Sequence, residues 1–196
     1  MKKRYACIAI LKTESLEKLS ALQNKVFEIA GSKQFRKEWP PHITVGIGNE
    51  LNDDEFQKLC EKLVDIAKEH DSLDVRLSKI SFRENPRLLK IDPSYTPHVM
   101  HLDVEVNKDL GFLVSNLDKA LRSFPMFHEV FPYNPHLTVA GRDLTSEGVR
   151  KLEKVFEGDF FETTVTIDSF SLVLIPGKDN SLERMKEVKR FSLGDQ

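Results

Sequence analysis

A five-residue segment occurs twice in this chain, and this repeat constrains the fold more than any other feature. The copies are Pro41-His42-Ile43-Thr44-Val45 and, 94 residues later, Pro135-His136-Leu137-Thr138-Val139. Apolar and β-branched residues surround each copy, which is typical of a strand. Successive side chains of a strand point to opposite faces, so the histidine and threonine of each copy share one face. The intervening aliphatic side chains are expected to point into a core.

The spacing of elements around the two copies indicates an internal duplication. One predicted strand begins at Tyr5, 37 residues before His42, and another begins at Val99, 37 residues before His136. Each half then reads as strand, helix, loop, motif strand, helix and strand. Two such halves commonly pack about a pseudo-twofold axis. We expect this packing to bring the two motifs face to face across a cleft.

Length and composition are those of a soluble globular protein. The 196 residues suit one domain, 1–196, made of two lobes of about 1–95 and 96–196. The formal net charge is −2, whereas proteins that grip long nucleic acid are usually basic. A compact substrate or a strand end is therefore expected, and not bulk duplex. No apolar run is long enough to span a membrane, so we expect a cytoplasmic protein. Cys7 and Cys60 are expected to be buried free thiols.

Two histidines that share a pocket suit general acid–base catalysis. Free imidazole titrates near pH ~6.5, so one ring can be neutral while the other is protonated at neutral pH. His42 and His136 are therefore the predicted catalytic pair, one accepting a proton and the other donating one. The hydroxyls of Thr44 and Thr138 can donate hydrogen bonds to phosphate oxygens beside them.

Other histidines allow different interpretations. A zinc site needs three or four ligands, and His101 could add a third, but no carboxylate or cysteine has convincing ligand spacing, so no metal is predicted. The 94-residue offset aligns His101 with Cys7. His101 either lines the cleft as part of the substrate site or faces solvent beside Asp103. His70 and His98 are expected to be exposed.

The loops before the two motifs are rich in aromatic and basic residues. Arg36 and Trp39 precede the first motif, and Tyr133 precedes the second. Aromatic rings can stack on bases and arginine can pair with phosphate, so these residues are candidate substrate contacts. The alternative is that the rings close the core. Between the motifs, residues 83–87 read as a turn and 88–91 as a short strand.

Two His-x-Thr-x motifs in duplicated halves resemble the two-histidine (2H) phosphoesterase superfamily, which includes the 2′-5′ RNA ligase-like (LigT-like) proteins. The resemblance covers nearly the whole chain and implies a bilobal α+β fold with antiparallel sheets lining a central cleft. It also implies chemistry that needs no metal or other cofactor, on 2′,3′-cyclic phosphates of RNA ends or small nucleotides. Both histidines would be catalytic and both threonines would bind phosphate.

Two other functions remain open on the sequence alone. One is cleavage or ligation of a 2′-5′ phosphodiester bond. The other is a nucleotide-binding module that keeps the pocket but turns nothing over; retention of both histidines and both threonines argues against it. The expected partner is an RNA end or a small nucleotide, bound by a monomer.

Overall fold

The computed structural model describes residues 3–12, 16–33, 41–124, 126–127, 134–157, 161–175 and 186–194. Within these ranges the strands are β1 (Lys3–Leu11), β2 (His42–Leu51), β3 (Leu73–Glu84), β4 (Thr96–Val104), β5 (Met126–Phe127), β6 (His136–Arg142), β7 (Thr163–Ile175) and β8 (Lys186–Ser192). The helices are α1 (Glu17–Ala30), α2 (Asp53–Lys68), α3 (Arg87–Ile91), α4 (Lys108–Leu121) and α5 (Ser146–Phe156). None of these helices has both the length and the apolar character needed to cross a bilayer.

Local sequence sets the ends of the longer helices. Helix α2 begins with a capping box, in which the Asn52 side chain accepts a hydrogen bond from the Glu55 amide and the Glu55 carboxylate accepts one from the Asn52 amide. Asn107 and Thr145 cap α4 and α5 in a similar way. Helix α1 ends at Gly31, whose φ of 72° is a left-handed conformation that glycine adopts at little cost.

The strands are antiparallel throughout and close into a ring. The order along the ring is β1-β2-β6-β4-β3-β7, and β7 pairs in turn with β1. Strand β8 extends the sheet beyond β7, and β5 pairs with β2. Exchanging β1 with β4, β2 with β6 and β3 with β7 maps this order onto itself, as duplication requires. The predicted α+β fold with duplicated halves and antiparallel sheets is confirmed.

Strands of the two sequence halves pair with each other at several places. Strand β7 of the second half pairs with β3 through residues 163–167 and with β1 through residues 167–175. Strand β3 of the first half likewise pairs with both β7 and β4. The two motif strands pair directly, β2 with β6. The repeated motifs therefore lie at the junction between the halves.

The main core lies between the sheet and the helices that pack on it. The aliphatic residues of the two motifs point into this core, as the strand pattern predicts: Ile43, Val45, Leu137 and Val139. Cys7 and Cys60 are free thiols and both are buried, also as predicted. Burial raises the pKa of the Cys7 thiol to about 12, so this cysteine is a packing residue and not a nucleophile.

The segment 88–91, predicted as a strand, is helical and belongs to α3. The residues at the start of α3 explain why this segment is helical and not extended. Pro86 has φ of −64°, which suits a helix start, and the Asn85 side chain accepts a hydrogen bond from the Arg87 amide. Turn chemistry at the start of the segment thus outweighs the apolar composition of its last residues.

Two histidines expected to be exposed are partly or wholly covered. His70 is buried, with its ring centroid 4.9 Å from that of Phe112 and its Nε2 3.1 Å from the Asn116 amide nitrogen. His98 is half-buried, with Nε2 2.8 Å from the Ser146 hydroxyl. In both cases the covering residue comes from a helix distant in sequence, so local pattern does not show it.

Candidate active site

The two motifs lie side by side on directly paired strands. Ile43 of β2 pairs with Leu137 of β6 in an antiparallel register. Continuing this register places each histidine opposite the threonine of the other motif, where Cα atoms lie about 4.5–5.5 Å apart. The motifs were expected to face each other across a cleft, but they form one continuous surface because the halves meet edge to edge. Its four half-buried polar residues are His42, Thr44, His136 and Thr138.

The contacts of His136 determine which of its nitrogens carries a proton. Nδ1 lies 3.0 Å from the Asn134 carbonyl oxygen, which can only accept, so Nδ1 carries the hydrogen. Nε2 lies 2.6 Å from Nη2 of Arg83. A guanidinium can only donate, so Nε2 presents its lone pair and the ring is neutral. A neutral imidazole with its lone pair toward the site is the form that accepts a proton.

The surroundings of His136 favour this neutral form. Burial lowers the pKa of His136, and the positive charge of Arg83 lowers it further. The hydrogen bond to the Asn134 carbonyl and the charge of Asp103 act in the opposite direction, but the net pKa is below the ordinary histidine value. At neutral pH the free enzyme therefore holds His136 as a base.

His101 lies beside His136 on the surface formed by the two motifs, and it does not face solvent. The ring centroids are 5.2 Å apart and the rings meet edge to face. His101 is only 5% exposed, its Nε2 lies 3.3 Å from Oδ1 of Asp103, and its buried Nδ1 has no hydrogen-bond partner among the residues that the structure describes. The Ser81 hydroxyl donates to the other oxygen of Asp103 at 3.1 Å. The suggested pairing with Asp103 therefore exists as well, but inside the site.

Strand pairing corrects the expected counterpart of His101. His101 pairs with Thr138 on β6, just as Ile8 pairs with Thr44 on β2. The counterpart of His101 is therefore Ile8 and not Cys7, which points into the main core. The fixed offset fails because the chain between the paired residues is one residue longer in the second half.

The two halves differ in what surrounds each motif on this face. Around the first motif the face is apolar, with a small buried cluster of Ala6, Ile8, Ile10 and Val173. Around the second motif the same face is polar, and its residues are Ser81, Arg83, His101 and Asp103. The pseudo-twofold relates Ser81 to Ser171 but relates Arg83, His101 and Asp103 to the apolar residues Val173, Ile8 and Ile10, so these three side chains are not a consequence of the duplicated fold.

Sequence reasoning missed Arg83, which it assigned to a turn over 83–87. Strand β3 continues to Glu84, so Arg83 lies two residues beyond Ser81 and on the same face. The available signal was this alternation from Ser81 to Arg83. It was not used because the strand was expected to end before Arg83, where the predicted turn begins.

The remaining predicted site residues lie outside the described residues: Arg36, Trp39 and Tyr133. The described parts of the chain contain no group of three or more histidine, cysteine or carboxylate side chains arranged to hold a metal ion. In particular, His101 and His136 lack a third ligand among these residues, which zinc would need.

We expect His101 to make the protein less stable in mild acid. Burial, followed by the charges of Arg83 and His136, lowers the pKa of His101 to about 4. Below pH ~6.5 the unfolded chain protonates this ring while the folded protein does not, so unfolding takes up a proton. The free energy of unfolding should fall as the pH drops from about 6.5 to about 4, by up to roughly 3 kcal/mol from this group.

Chemical denaturation at a series of pH values measures this effect. The matched variant is His101→Ile, because isoleucine occupies the equivalent position at Ile8. Its stability should decline less between pH 6.5 and pH 4 than that of the wild type. Equal declines in the two proteins would contradict the assigned pKa.

Comparisons with known proteins point to one family. Residues 21–179 match the family model of the 2′-5′ RNA ligase superfamily. The "RNA 2′,3′-cyclic phosphodiesterase" of Bacillus subtilis (strain 168) is 28% identical over 152 residues, which are 78% of this chain and 76% of that protein.

Solved structures show the same fold at low identity. LigT of E. coli complexed with 3′-AMP has a TM-score of 0.63 at 16% identity, with all of both chains covered. The protein TT0787 of Thermus thermophilus has a TM-score of 0.65 at 18% identity, with 97% of this chain and 98% of that chain covered. The prediction of a LigT-like enzyme fold is therefore confirmed. Since the family model covers most of its length, this chain belongs to the 2′-5′ RNA ligase superfamily, the 2H phosphoesterases.

Proposed function

We propose that this enzyme hydrolyses 2′,3′-cyclic phosphates at RNA ends or on small nucleotides, with His42 and His136 as its acid–base pair. The antiparallel pairing of β2 with β6 carries the proposal, because it places both His-x-Thr motifs on one surface within reach of one phosphate. The Bacillus relative named as an RNA 2′,3′-cyclic phosphodiesterase supports the same reaction class. The net charge of −2 also suits a small substrate or a strand end better than long nucleic acid.

The reaction requires two proton transfers on opposite sides of phosphorus. A water molecule attacks phosphorus and gives a proton to a neutral imidazole, which acts as the base. The bond from phosphorus to one ribose oxygen breaks, and a protonated imidazole gives its proton to that oxygen. The products are a phosphomonoester and a free hydroxyl. The hydroxyls of Thr44 and Thr138 donate to the non-bridging oxygens as negative charge builds on them.

Three residues that precede the motifs in sequence extend the proposal to the rest of the substrate. Arg36 and Trp39 precede the first motif, and Tyr133 precedes the second. We propose that an aromatic side chain of this set stacks on the nucleotide base and that Arg36 meets a phosphate. Substitution of these residues should change the preference among bases more than the chemistry on a minimal cyclic phosphate.

Product analysis tests the proposal. The purified enzyme is incubated with 2′,3′-cyclic mononucleotides, an RNA ending in a 2′,3′-cyclic phosphate, and a 2′-5′ dinucleotide. Conversion of the cyclic phosphates to monoesters is expected. The second candidate function is cleavage or ligation of a 2′-5′ phosphodiester bond, which the family description, 2′-5′ RNA ligase, favours. Consumption of the dinucleotide alone would support this second function instead. Binding of these compounds without conversion would reject both enzymatic functions.

We expect the activity to survive treatment with EDTA. The acid–base pair and the threonine hydroxyls together supply the proton transfers and the charge stabilisation that a metal would otherwise provide. The rate should stay within about twofold of the untreated rate, and added Mg²⁺ or Zn²⁺ should not raise it. Loss of activity in EDTA with recovery on adding one divalent ion would contradict this mechanism.

A further inference from the structure

The two-histidine mechanism leaves one group of polar side chains in the site unused. This group, called here the polar cluster, consists of Ser81, Arg83, His101 and Asp103, on the β3 and β4 strands that adjoin the second motif. Burying polar groups costs free energy unless they gain partners, yet the buried Nδ1 of His101 has no hydrogen-bond partner in the described part of the chain. Beside the first motif the positions equivalent to Arg83, His101 and Asp103 hold apolar side chains, and only Ser81 has a polar counterpart, Ser171, so the fold itself does not require the three charged or titratable members of the cluster.

We propose that Arg83 is a third phosphate-binding residue, which rests on Nε2 of His136 in the free enzyme and moves to a non-bridging oxygen of the substrate phosphate. His101 and Asp103 act as positioning residues that hold Arg83 on this side of the site. The inference rests on the proposed function and names the contact that the phosphate makes beyond the two motifs.

The contact between Arg83 and His136 cannot persist during the reaction. The 2.6 Å hydrogen bond from Nη2 occupies the Nε2 lone pair, which is the lone pair that must accept the proton from water. A phosphate oxygen carries negative charge and accepts a stronger hydrogen bond from a guanidinium than a neutral imidazole does. Entry of the phosphate therefore attracts Arg83 and releases the base in the same step.

The neighbours of Arg83 set its position electrostatically. The negative charge of Asp103 stabilises the charged guanidinium, and Asp103 is itself held by the Ser81 hydroxyl and by Nε2 of His101. The His101 ring is kept neutral by burial, so it does not repel the guanidinium. Of the described charged and titratable groups, those that act on His136 are Arg83 and Asp103, with His101 in ring contact.

The asymmetry of the site follows from this arrangement. Val173 occupies the position beside the first motif that corresponds to the position of Arg83 beside the second, because Val173 pairs with Ala6 as Arg83 pairs with Val99. Arg83 thus supplies a cation to His136. Arg83 keeps His136 deprotonated before the phosphate binds, which makes His136 the proton acceptor and leaves donation to His42.

Titration with inorganic phosphate tests the inference without relying on turnover. The variants are Arg83→Gln, which removes the charge, and Arg83→Lys, which keeps the charge but loses the planar fork. Arg76→Gln is the matched control, because it removes a positive charge from the same strand about 23 Å from Arg83. Arg76 forms ion pairs with Glu162 and Glu105. Calorimetry at pH 8 keeps imidazoles with ordinary or lowered pKa values neutral in every variant.

Arg83→Gln should weaken phosphate binding about 10-fold to 100-fold, as expected for loss of a charged hydrogen bond. Arg83→Lys should lie between this variant and the wild type, and Arg76→Gln should bind as the wild type does. Equal phosphate affinity in Arg83→Gln and Arg76→Gln would overturn the inference.

A second measurement follows the resting contact between Arg83 and His136. NMR titration of the His136 ring in the free protein should show a higher pKa in Arg83→Gln than in the wild type, because a neighbouring positive charge is removed. The Arg76→Gln control should show no change. An unchanged His136 pKa in Arg83→Gln would reject the resting position of Arg83.

These outcomes separate the inference from the proposed function. If Arg83→Gln loses phosphate affinity but the wild type converts no cyclic phosphate, Arg83 binds phosphate and the proposed reaction is wrong. If the wild type converts cyclic phosphates and Arg83→Gln keeps full phosphate affinity, the reaction stands and the role of Arg83 is wrong.

Discussion

Replacing His136 with asparagine or alanine should lower kcat by about 10²–10⁴-fold, the range expected when a positioned acid or base is removed. The same loss is expected for His42→Ala, since the reaction needs one proton acceptor and one proton donor on opposite sides of phosphorus. Asparagine is the better variant at 136, because its amide can still donate to the Asn134 carbonyl and so preserve the local structure. Initial rates on a 2′,3′-cyclic mononucleotide near pH 7 measure the effect.

The matched control for these variants is His98→Ala. His98 lies near the start of β4, and its ring contacts Ser146 at the start of α5 and not the polar residues of the site. This variant should keep kcat near the wild-type value. Thermal unfolding of each variant shows whether the fold persists. A folded His42 or His136 variant with near-normal kcat would contradict the acid–base pairing.

Replacing Thr44 or Thr138 with valine should lower kcat by about 10²–10³-fold, as is typical when one donor to a developing oxyanion is lost. Valine has nearly the same shape as threonine and suits a strand. The change therefore removes the hydroxyl donor and little else. The loss should appear in kcat, because charge on the phosphate oxygens is greatest in the transition state.

Thr166→Val is the control for the threonine variants. The Thr166 hydroxyl donates to Asp74 in the part of β7 that pairs with β3. Its loss should leave kcat and KM unchanged. If Thr44→Val and Thr138→Val instead raised KM with unchanged kcat, the hydroxyls would bind the ground state and transition state equally, and the proposed oxyanion role would be wrong.

The local sequence contained enough information for the face of each motif and for most elements, the helix at 88–91 and the end of β3 excepted. In a strand the side chains alternate by covalent geometry, so placing His42 and Thr44 on one face and Ile43 in the core needs no tertiary knowledge. The same alternation holds for the second motif, and its aliphatic residues are buried as predicted. The repeat itself indicated two similar halves, which the strand order confirms.

Register between distant strands could not be predicted in the same way. The counterpart of His101 is Ile8, because the second half has an extra residue between the two paired positions. A fixed sequence offset does not take such an insertion into account. A slip of one residue moves a side chain to the other face of a sheet. For this reason the predicted match made His101 equivalent to Cys7, whose side chain points into the core on the other face of the sheet.

The sequence by itself determined that two histidines and two threonines would project from one face of duplicated strands. The tertiary structure decided that β2 and β6 pair directly, which joins the four side chains in one surface. It also decided that the second motif contacts Arg83, since Arg83 and His136 are 53 residues apart in sequence. Contacts of this range depend on how the sheet closes on itself, and closure is a property of all its strands together and not of any segment.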